Sequence, residues 1–428
     1  MKTSKNILFV HYGDNWIRGS ERCLIDAVNN IDKNRFTPFV WTNNRALYQQ
    51  MRDNNISAKH SRFTLLFGWT KPKFALFNWF KLLYLAGTLI RTHNIELIHV
   101  NSGAPCQWMW LISRLFNIPM LLHLHSDYPL RDRSTLGFHL SPHIITVSHA
   151  VSKQLLKDGY SSERLTVIHN GIETVPKTPT CKMSVKQHLG LNEDCFLMVT
   201  VGSLIKRKGI DLLIQATKQL ISNDPNIHLL IIGDGPEHSS LIALAKQLNI
   251  AGNIHFAGEQ TNVMSWLNSD ADVFVSGAQS EAFGLVIAEA ALAGLAIVAP
   301  HTGGIPEIVS HKKSALLYSK RDATTIAAHI SLLKQSSSFK LTLGMNARRR
   351  VQTAFSLQHY INALETTYDS SLSSPLHFPP FLKVCTQQVG LIAKALLHLH
   401  RSSRSTLMPT LSANSHSDTQ IENSPSKT

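Results

Sequence analysis

Short apolar runs of β-branched and aromatic residues alternate with helical segments along most of this chain. That alternation restricts the fold to a mostly parallel sheet with helices on both faces. The pattern occurs twice. Before residue 170 the runs are 7–10, 39–41, 97–100, 120–125 and 144–148; after it they are 196–201, 228–232, 254–256, 273–275 and 296–299. Between the two series, Pro176 and Pro179 mark a stretch that regular structure does not tolerate. Two similar sheets facing each other across a hinge are the expected result.

Length agrees, since 428 residues suffice for two domains with a core in each. The first domain is expected over residues 1–173, a linker over 174–190 and the second domain over 191–345. One long helical stretch, 346–370, follows and contains Arg348, Arg349 and Arg350 near its start. Pro375, Pro379 and Pro380 then break the chain. In the 371–428 tail, residues 381–400 are able to form one apolar helix, and the Ser-, Thr- and Asn-rich remainder reads as disordered.

An apolar fraction of 43% is that of a globular protein. Five scattered cysteines, none in a C-x-x-C spacing, argue against a disulfide framework or a zinc site and for a reducing compartment. The first ten residues hold too short an apolar run for a signal peptide. Residues 74–90 are apolar but interrupted by Asn78 and Lys81, which disfavours a membrane span. A cytoplasmic location is expected, free or peripheral on the inner face of the plasma membrane.

Net charge is +14 and lies mostly in the first half, where residues 1–170 carry 20 Lys+Arg against 10 Asp+Glu. That half should meet something anionic: a phosphate-bearing substrate, lipid headgroups or nucleic acid. From Arg62 to Arg91, eight aromatic residues mix with Lys71, Lys73 and Lys81. They read either as a surface that dips into an anionic membrane face or as a helix packed on the sheet with its lysines solvated.

The stretch Ser280-Glu-Ala-Phe-Gly-Leu-Val-Ile-Ala-Glu289 lies where an apolar strand passes into an Ala-rich helix closed by Gly294. Glu281 then falls in the strand-to-helix loop, at the end of the sheet where open α/β folds bind ligands. Free amides at the helix start suit phosphate. A lone Glu281 is explained by the helix macrodipole, but Glu289 is not. Inside an apolar helix it needs a polar partner, and a ribose diol is one.

After the run 196–201, Lys206-Arg-Lys208 reads either as a solvated basic loop or as a diphosphate cradle; its place between a strand end and a helix start favours the cradle. His123 and His125 share one face of their strand. No third zinc ligand accompanies them, and His125, at the strand's carboxyl end, is the cleft candidate. Asp270-Ala-Asp272 precedes a strand instead of ending one and reads as structural. The loop after the first strand lacks G-x-G-x-x-G, so a dinucleotide fingerprint is absent.

Taken in order, these residues resemble the family-four retaining glycosyltransferases over residues 5–370. The resemblance rests on Pro119 with the strand ending at His125, Asn170-Gly171-Ile172, Lys208-Gly209 and Gly233-Asp-Gly-Pro236. It rests further on Glu281-x7-Glu289 with Phe283-Gly284, and on Gly303-Gly304-Ile-Pro-Glu307. It implies the GT-B architecture: α/β, two facing Rossmann-like domains with parallel sheets, acceptor bound by the first and donor by the second. The helix of residues 346–370 should cross back to the first domain. The implied activity moves a hexose or hexosamine, with retention, from a UDP- or GDP-linked sugar to a glycan or lipid-linked acceptor, in cell-surface polysaccharide or lipopolysaccharide synthesis.

By position, Glu281 matches the acidic residue that contacts the transferred sugar, and His125 the histidine near the anomeric centre. Phe283, Gly284 and Leu285 match the amides that meet sugar and phosphate. Glu289 matches the ribose carboxylate, Lys208 with Arg207 the diphosphate clamp, and Gly19 the glycine under the donor phosphates. No metal or other cofactor is implied, because Lys208 and the helix start supply the counter-charge, and no nucleic-acid partner is implied.

The chain departs from the family pattern at Ser203, where Arg is frequent, at Arg18 in the first-loop glycine pair, and at Gly277, where proline is frequent. Gly277 should loosen its loop. Alternatives are a sugar phosphorylase or sucrose-type synthase on the same architecture, a basic nucleic-acid-binding protein (which lacks a recognition motif here), and a non-catalytic glycan binder.

Overall fold

The computed structural model describes residues 4–68, 74–174, 184–374, 380, 386 and 388–394. The expected linker falls largely on residues 175–183, and most of the 371–428 tail likewise lies outside the described residues.

The first sheet contains β1 (Lys5–His11), β2 (Phe36–Thr42), β3 (Ser57–His60), β4 (Leu97–Val100), β5 (Met120–Leu124), β6 (His143–Thr146) and β7 (Leu165–Val167), in the order β3-β2-β1-β4-β5-β6-β7. The second contains β8 (Phe196–Val201), β9 (Ile227–Ile232), β10 (Ile254–Gly258), β11 (Val273–Val275), β12 (Ala296–Pro300) and β13 (Leu316–Tyr318), in the order β10-β9-β8-β11-β12-β13. Every strand pairing is parallel. Central strands are covered on both faces, which is why β5 and β8 appear in the sequence as unbroken apolar runs.

Short edge strands give less to read: β7 and β13 hold three residues each, and they and β3 lie at sheet edges. β3 reads Ser-Ala-Lys-His and stays largely exposed, since an edge strand has one side to pair and little to bury.

Strand order reverses between β1 and β4 in the first sheet and between β8 and β11 in the second. The crevices beyond the carboxyl ends at those reversals are where open α/β sheets hold ligands. The loops that leave β1, β4, β8 and β11 therefore frame the site.

The stretch 346–370 is two helices, not one. Ser337–Ala354 packs Leu343, Ala347 and Val351 into the second domain, while Leu357–Ser373 buries Tyr360, Leu364 and Tyr368 against Ile7 and Phe9 of the first. The break comes at Ser356, whose side chain caps the second helix by accepting from the His359 amide. There the Ile172 amide donates to the Phe355 carbonyl at 2.9 Å, and the Leu357 amide to the Ile172 carbonyl at 2.8 Å. The chain between these two helices thus pairs with Asn170-Gly171-Ile172 of the first domain, and that segment is a seam.

The aromatic stretch divides between its two readings. Phe63 is core, edge-on to Trp41 and Trp108. Phe74, just before the helix Leu76–Thr92, and Phe77, Phe80 and Tyr84 within it face outward, Phe77 at 83% exposure. Among the described residues no helix is long and apolar enough to cross a membrane.

Candidate active site

The second domain builds its half of the site from loops packed backbone to backbone. The loop after β8 ends at Gly209, which has φ +62° and opens the helix Ile210–Ile221. A Cβ on Gly209 would stand 2.1 Å from the Gly277 carbonyl, and one on Gly277 would stand 2.2 Å from the Gly209 carbonyl. Only two glycines fit so close together. Arg321 Nε also donates to the Gly277 carbonyl at 3.1 Å. The expectation that Gly277 loosens its loop is therefore corrected: the position is clamped from both sides.

That packing brings the basic loop to the acidic one. The buried Glu281 carboxylate forms an ion pair with Lys208, and Arg207 Nη1 stands 3.8 Å from its other oxygen. Arg207 also donates to the Ser280 carbonyl at 2.7 Å. From the far side Gly303, at φ +55°, would carry a Cβ only 1.8 Å from the Glu281 carbonyl, to which the Gly304 amide donates at 2.9 Å. Glu281 is held from three directions.

The helix Leu285–Ala293 starts at Gly284, whose φ of +109° turns the chain into it. The Ile287 amide donates back to the Gly284 carbonyl at 2.9 Å, and the amides before it, at the very start of the helix, have no carbonyl one turn back to bond. Phe283 itself is buried, 5.8 Å from both the His169 and the Phe355 rings, so only its main chain is available to a ligand. Glu289 lies one turn in. Burial raises its pKa, Arg22 of the first domain opposes that from 3.6 Å, and Asp26 adds to it. At that distance Arg22 attracts without a proper hydrogen bond, so the carboxyl keeps acceptor capacity.

The first domain builds its half from side chains. His11 ends β1, Asn101 follows β4 and His125 follows β5. His11 Nε2 lies 2.9 Å from Glu21 Oε1, and Asn101 joins the two histidines, with Nδ2 3.2 Å from His11 Nδ1 and Oδ1 3.0 Å from His125 Nε2. Burial raises the Glu21 pKa, yet the His11 hydrogen bond and charge, with backbone amides, outweigh it and leave the group below its ordinary value. Burial takes His125 down to about 3, with His11 adding to the effect and Glu21 opposing it. His125 is therefore a neutral imidazole near pH 7.

His123, ring to ring with His125 at 4.1 Å, is fully buried in the core as its position on the strand allows. Asp127, two residues past His125, has a raised pKa: burial is the largest cause, Arg207 and Arg133 oppose it, and Glu281 adds to it. Gly19 opens the helix Gly19–Asn30, and its Cβ would lie 3.4 Å from Leu285 Cδ1, so the two half-sites touch.

A seam of polar contacts fixes that approach. Ser148 Oγ donates to the Ala282 carbonyl at 2.5 Å. Glu307 accepts from the His149 and Ala150 amides at 3.0 Å each, capping the helix His149–Lys157 of the opposite domain, and from His169 Nε2 at 2.8 Å. Burial pushes the Glu307 pKa up, but the His169 bond and both amides bring it below its ordinary value.

The structure thus gathers Gly19, His125, Arg207, Lys208, Glu281, Phe283, Gly284, Leu285 and Glu289 around one cleft. Asp270 and Asp272 are elsewhere: Asp270 caps the helix Val185–His188, and Asp272 holds Lys186, Lys340 and the Leu197 amide. Sequence reasoning passed over Glu21, His11 and Asn101, and it quoted Glu307 without a role. A Glu three residues after a helix cap is a capping-box signal that points to Glu21; nothing local marks the others.

Two family models match the chain. The one described as "Glycosyl transferases group 1" covers residues 183–350, and "Glycosyltransferase Family 4" covers residues 17–175. Among curated relatives, N-acetyl-alpha-D-glucosaminyl L-malate synthase of Bacillus anthracis is 25% identical over 64% of this chain and 74% of its own length. The capsular polysaccharide biosynthesis glycosyltransferase CapM of Staphylococcus aureus is 28% identical over 71% of this chain and 84% of its own. Among solved structures, Anabaena Alr3699/HepE in complex with UDP-glucose superposes with a TM-score of 0.73 at 21% identity, covering 85% of this chain and 99% of that one. WaaG, a glycosyltransferase involved in lipopolysaccharide biosynthesis, superposes with a TM-score of 0.67 at 17% identity, covering 84% and 99%. With one family model on each domain and the GT-B arrangement of both sheets, this chain belongs to the family-four glycosyltransferases.

Proposed function

We propose that the chain transfers a hexose or hexosamine from a UDP- or GDP-linked donor to a glycan or lipid-linked acceptor with retention of anomeric configuration. One observation carries the reading. At the strand reversal of the second sheet, Lys208, Arg207 and a helix start converge on Glu281, and Gly19, at the strand reversal of the first, meets Leu285 of that helix, with His125 after the neighbouring β5. HepE, of the same fold, holds UDP-glucose, and the relatives named for capsule and lipopolysaccharide synthesis suit a cell-surface glycan product.

Breaking a nucleotide-sugar bond places negative charge on the leaving diphosphate and oxocarbenium character on the sugar. Lys208, Arg207 and the amides of Phe283, Gly284 and Leu285 take the first, so the counter-charge comes from the chain itself without calling on a metal. Glu281 faces the sugar while it holds both cations in place. Burial penalises the ionised form of Glu289, so its carboxylate gains most from hydroxyl donors, and a ribose diol supplies two. Given to ribose, Glu289 does not serve as the second carboxylate of a double-displacement glycosidase. The leaving phosphate then assists the acceptor on the same face, and the closed seam keeps water out.

Glu281→Ala should lower turnover by about 10²-fold or more, the loss typical of a removed transition-state contact, while the fold persists. The product anomer, read by proton NMR, should match the donor's. Normal turnover by the variant, or an inverted product, rejects the proposal.

The acceptor side also supports a lipid-surface reading. Phe74, Phe77, Phe80 and Tyr84 form an exposed aromatic face beside Lys81 in the basic half of the chain. Pelleting with vesicles of anionic lipid should drop when Phe77 and Phe80 are changed to Ser; unchanged pelleting removes that surface from the account.

A further inference from the structure

We propose that Glu21, His11 and Asn101 are positioning residues that lock His125 in one tautomer, with the proton on Nε2 and the Nδ1 lone pair reserved for a hydroxyl of the bound sugar. The sugar part rests on the functional reading above; the tautomer part stands on the hydrogen-bond geometry alone.

The direction of every bond in the chain follows from two groups that can only accept. Asn101 Nδ2 lies 3.1 Å from the Ser20 carbonyl, which has no proton to give. That fixes the amide: nitrogen toward Ser20, oxygen toward His125. His125 Nε2, 3.0 Å from this oxygen, must then be the N–H. A neutral imidazole has one N–H, so Nδ1 carries a lone pair.

At the other end stands the Glu21 carboxylate, tied down by the Arg18 amide at 3.1 Å and Ser20 Oγ at 3.2 Å. With His11 neutral, it accepts from His11 Nε2 at 2.9 Å, and His11 Nδ1 accepts the second Asn101 hydrogen at 3.2 Å, nearer than the Asn101 carbonyl at 3.4 Å. Acceptor, donor and tautomer agree from Glu21 to His125, and bonds aligned this way reinforce one another.

What the chain of bonds prepares is visible at its end. His125 Nδ1 is enclosed and has no hydrogen-bond partner among the described residues. A buried acceptor in that state calls for a donor from the ligand. Sugar hydroxyls are donors; phosphate oxygens are not. Nδ1 therefore favours a sugar over a phosphate on this side of the cleft, complementing the cations opposite. Burial keeps the ring neutral near pH 7, so the lone pair is available.

The test uses full-length protein labelled with [15N]histidine, His125 being assigned by its loss in His125→Gln. Long-range proton–nitrogen spectra should show the His125 proton on Nε2. Asn101→Ala should scramble that tautomer and lower kcat with a nucleotide sugar by about tenfold, while KM for the donor changes by less than about twofold. Asn101→Asp retains an acceptor for Nε2 and should preserve the tautomer and more of the activity.

A wild-type proton on Nδ1, or a tautomer unmoved in Asn101→Ala, overturns the positioning chain. A scrambled tautomer with unchanged kcat overturns the placement of His125 at the sugar while leaving the bond geometry intact. The wild-type tautomer is read without Asn101→Ala, so the test survives if that variant fails to fold.

Discussion

The two halves of the cleft are held by different physics. In the second domain, main chains touch main chains: Gly209 against Gly277, and Gly303 against Glu281, at separations no side chain survives. In the first, Glu21, His11, Asn101 and His125 hold one another by side-chain hydrogen bonds across three strand ends. Backbone packing makes a rigid frame, which would suit the proposed diphosphate. A side-chain network is easier to alter one residue at a time.

The comparison breaks if the two halves respond alike to substitution. A urea-titration series should rank them. Gly303→Ala strains a residue at φ +55° and drives its new methyl into the Glu281 carbonyl, so it should cost more than about 3 kcal/mol. Asn101→Ala leaves the Ser20 carbonyl and two imidazole nitrogens without partners and should cost about 1–3 kcal/mol. The first should also displace Glu281 and abolish turnover, the second only reduce it. Equal losses in stability and activity would mean that both halves are one cooperative unit.

The same contrast explains what could be read in advance. Backbone approaches demand glycine, so Gly209, Gly303 and Gly304 stand in the sequence as fixed punctuation beside Lys208 and Glu281. The central strands were equally plain because both faces are buried. The network was not, since residues 11, 21, 101 and 125 are ordinary types that meet only when the order β1, β4, β5 sets their loops side by side. The helix break at Ser356 was missed because the apolar pattern runs through it; the cap residue was its one local sign. Gly277 was misjudged because its constraint comes from Gly209, 68 positions earlier.

The surface stretch around Phe77 shows a further limit. Periodicity places aromatic residues on a helix but does not say which face is covered, and only the packing of Phe63 against Trp41 and Trp108 separates core from exposed rings.

The central claim is that the nucleotide sugar is gripped by its diphosphate at the loop after β8. Calorimetric titration of nucleoside diphosphates and their sugars into wild-type protein and Lys208→Ala tests it most directly. The account predicts saturable binding of UDP or GDP to wild-type protein. In the variant it should weaken by about tenfold or more, the cost of one lost charge-assisted bond. Equal affinity in both proteins would contradict the account and move the clamp away from Lys208.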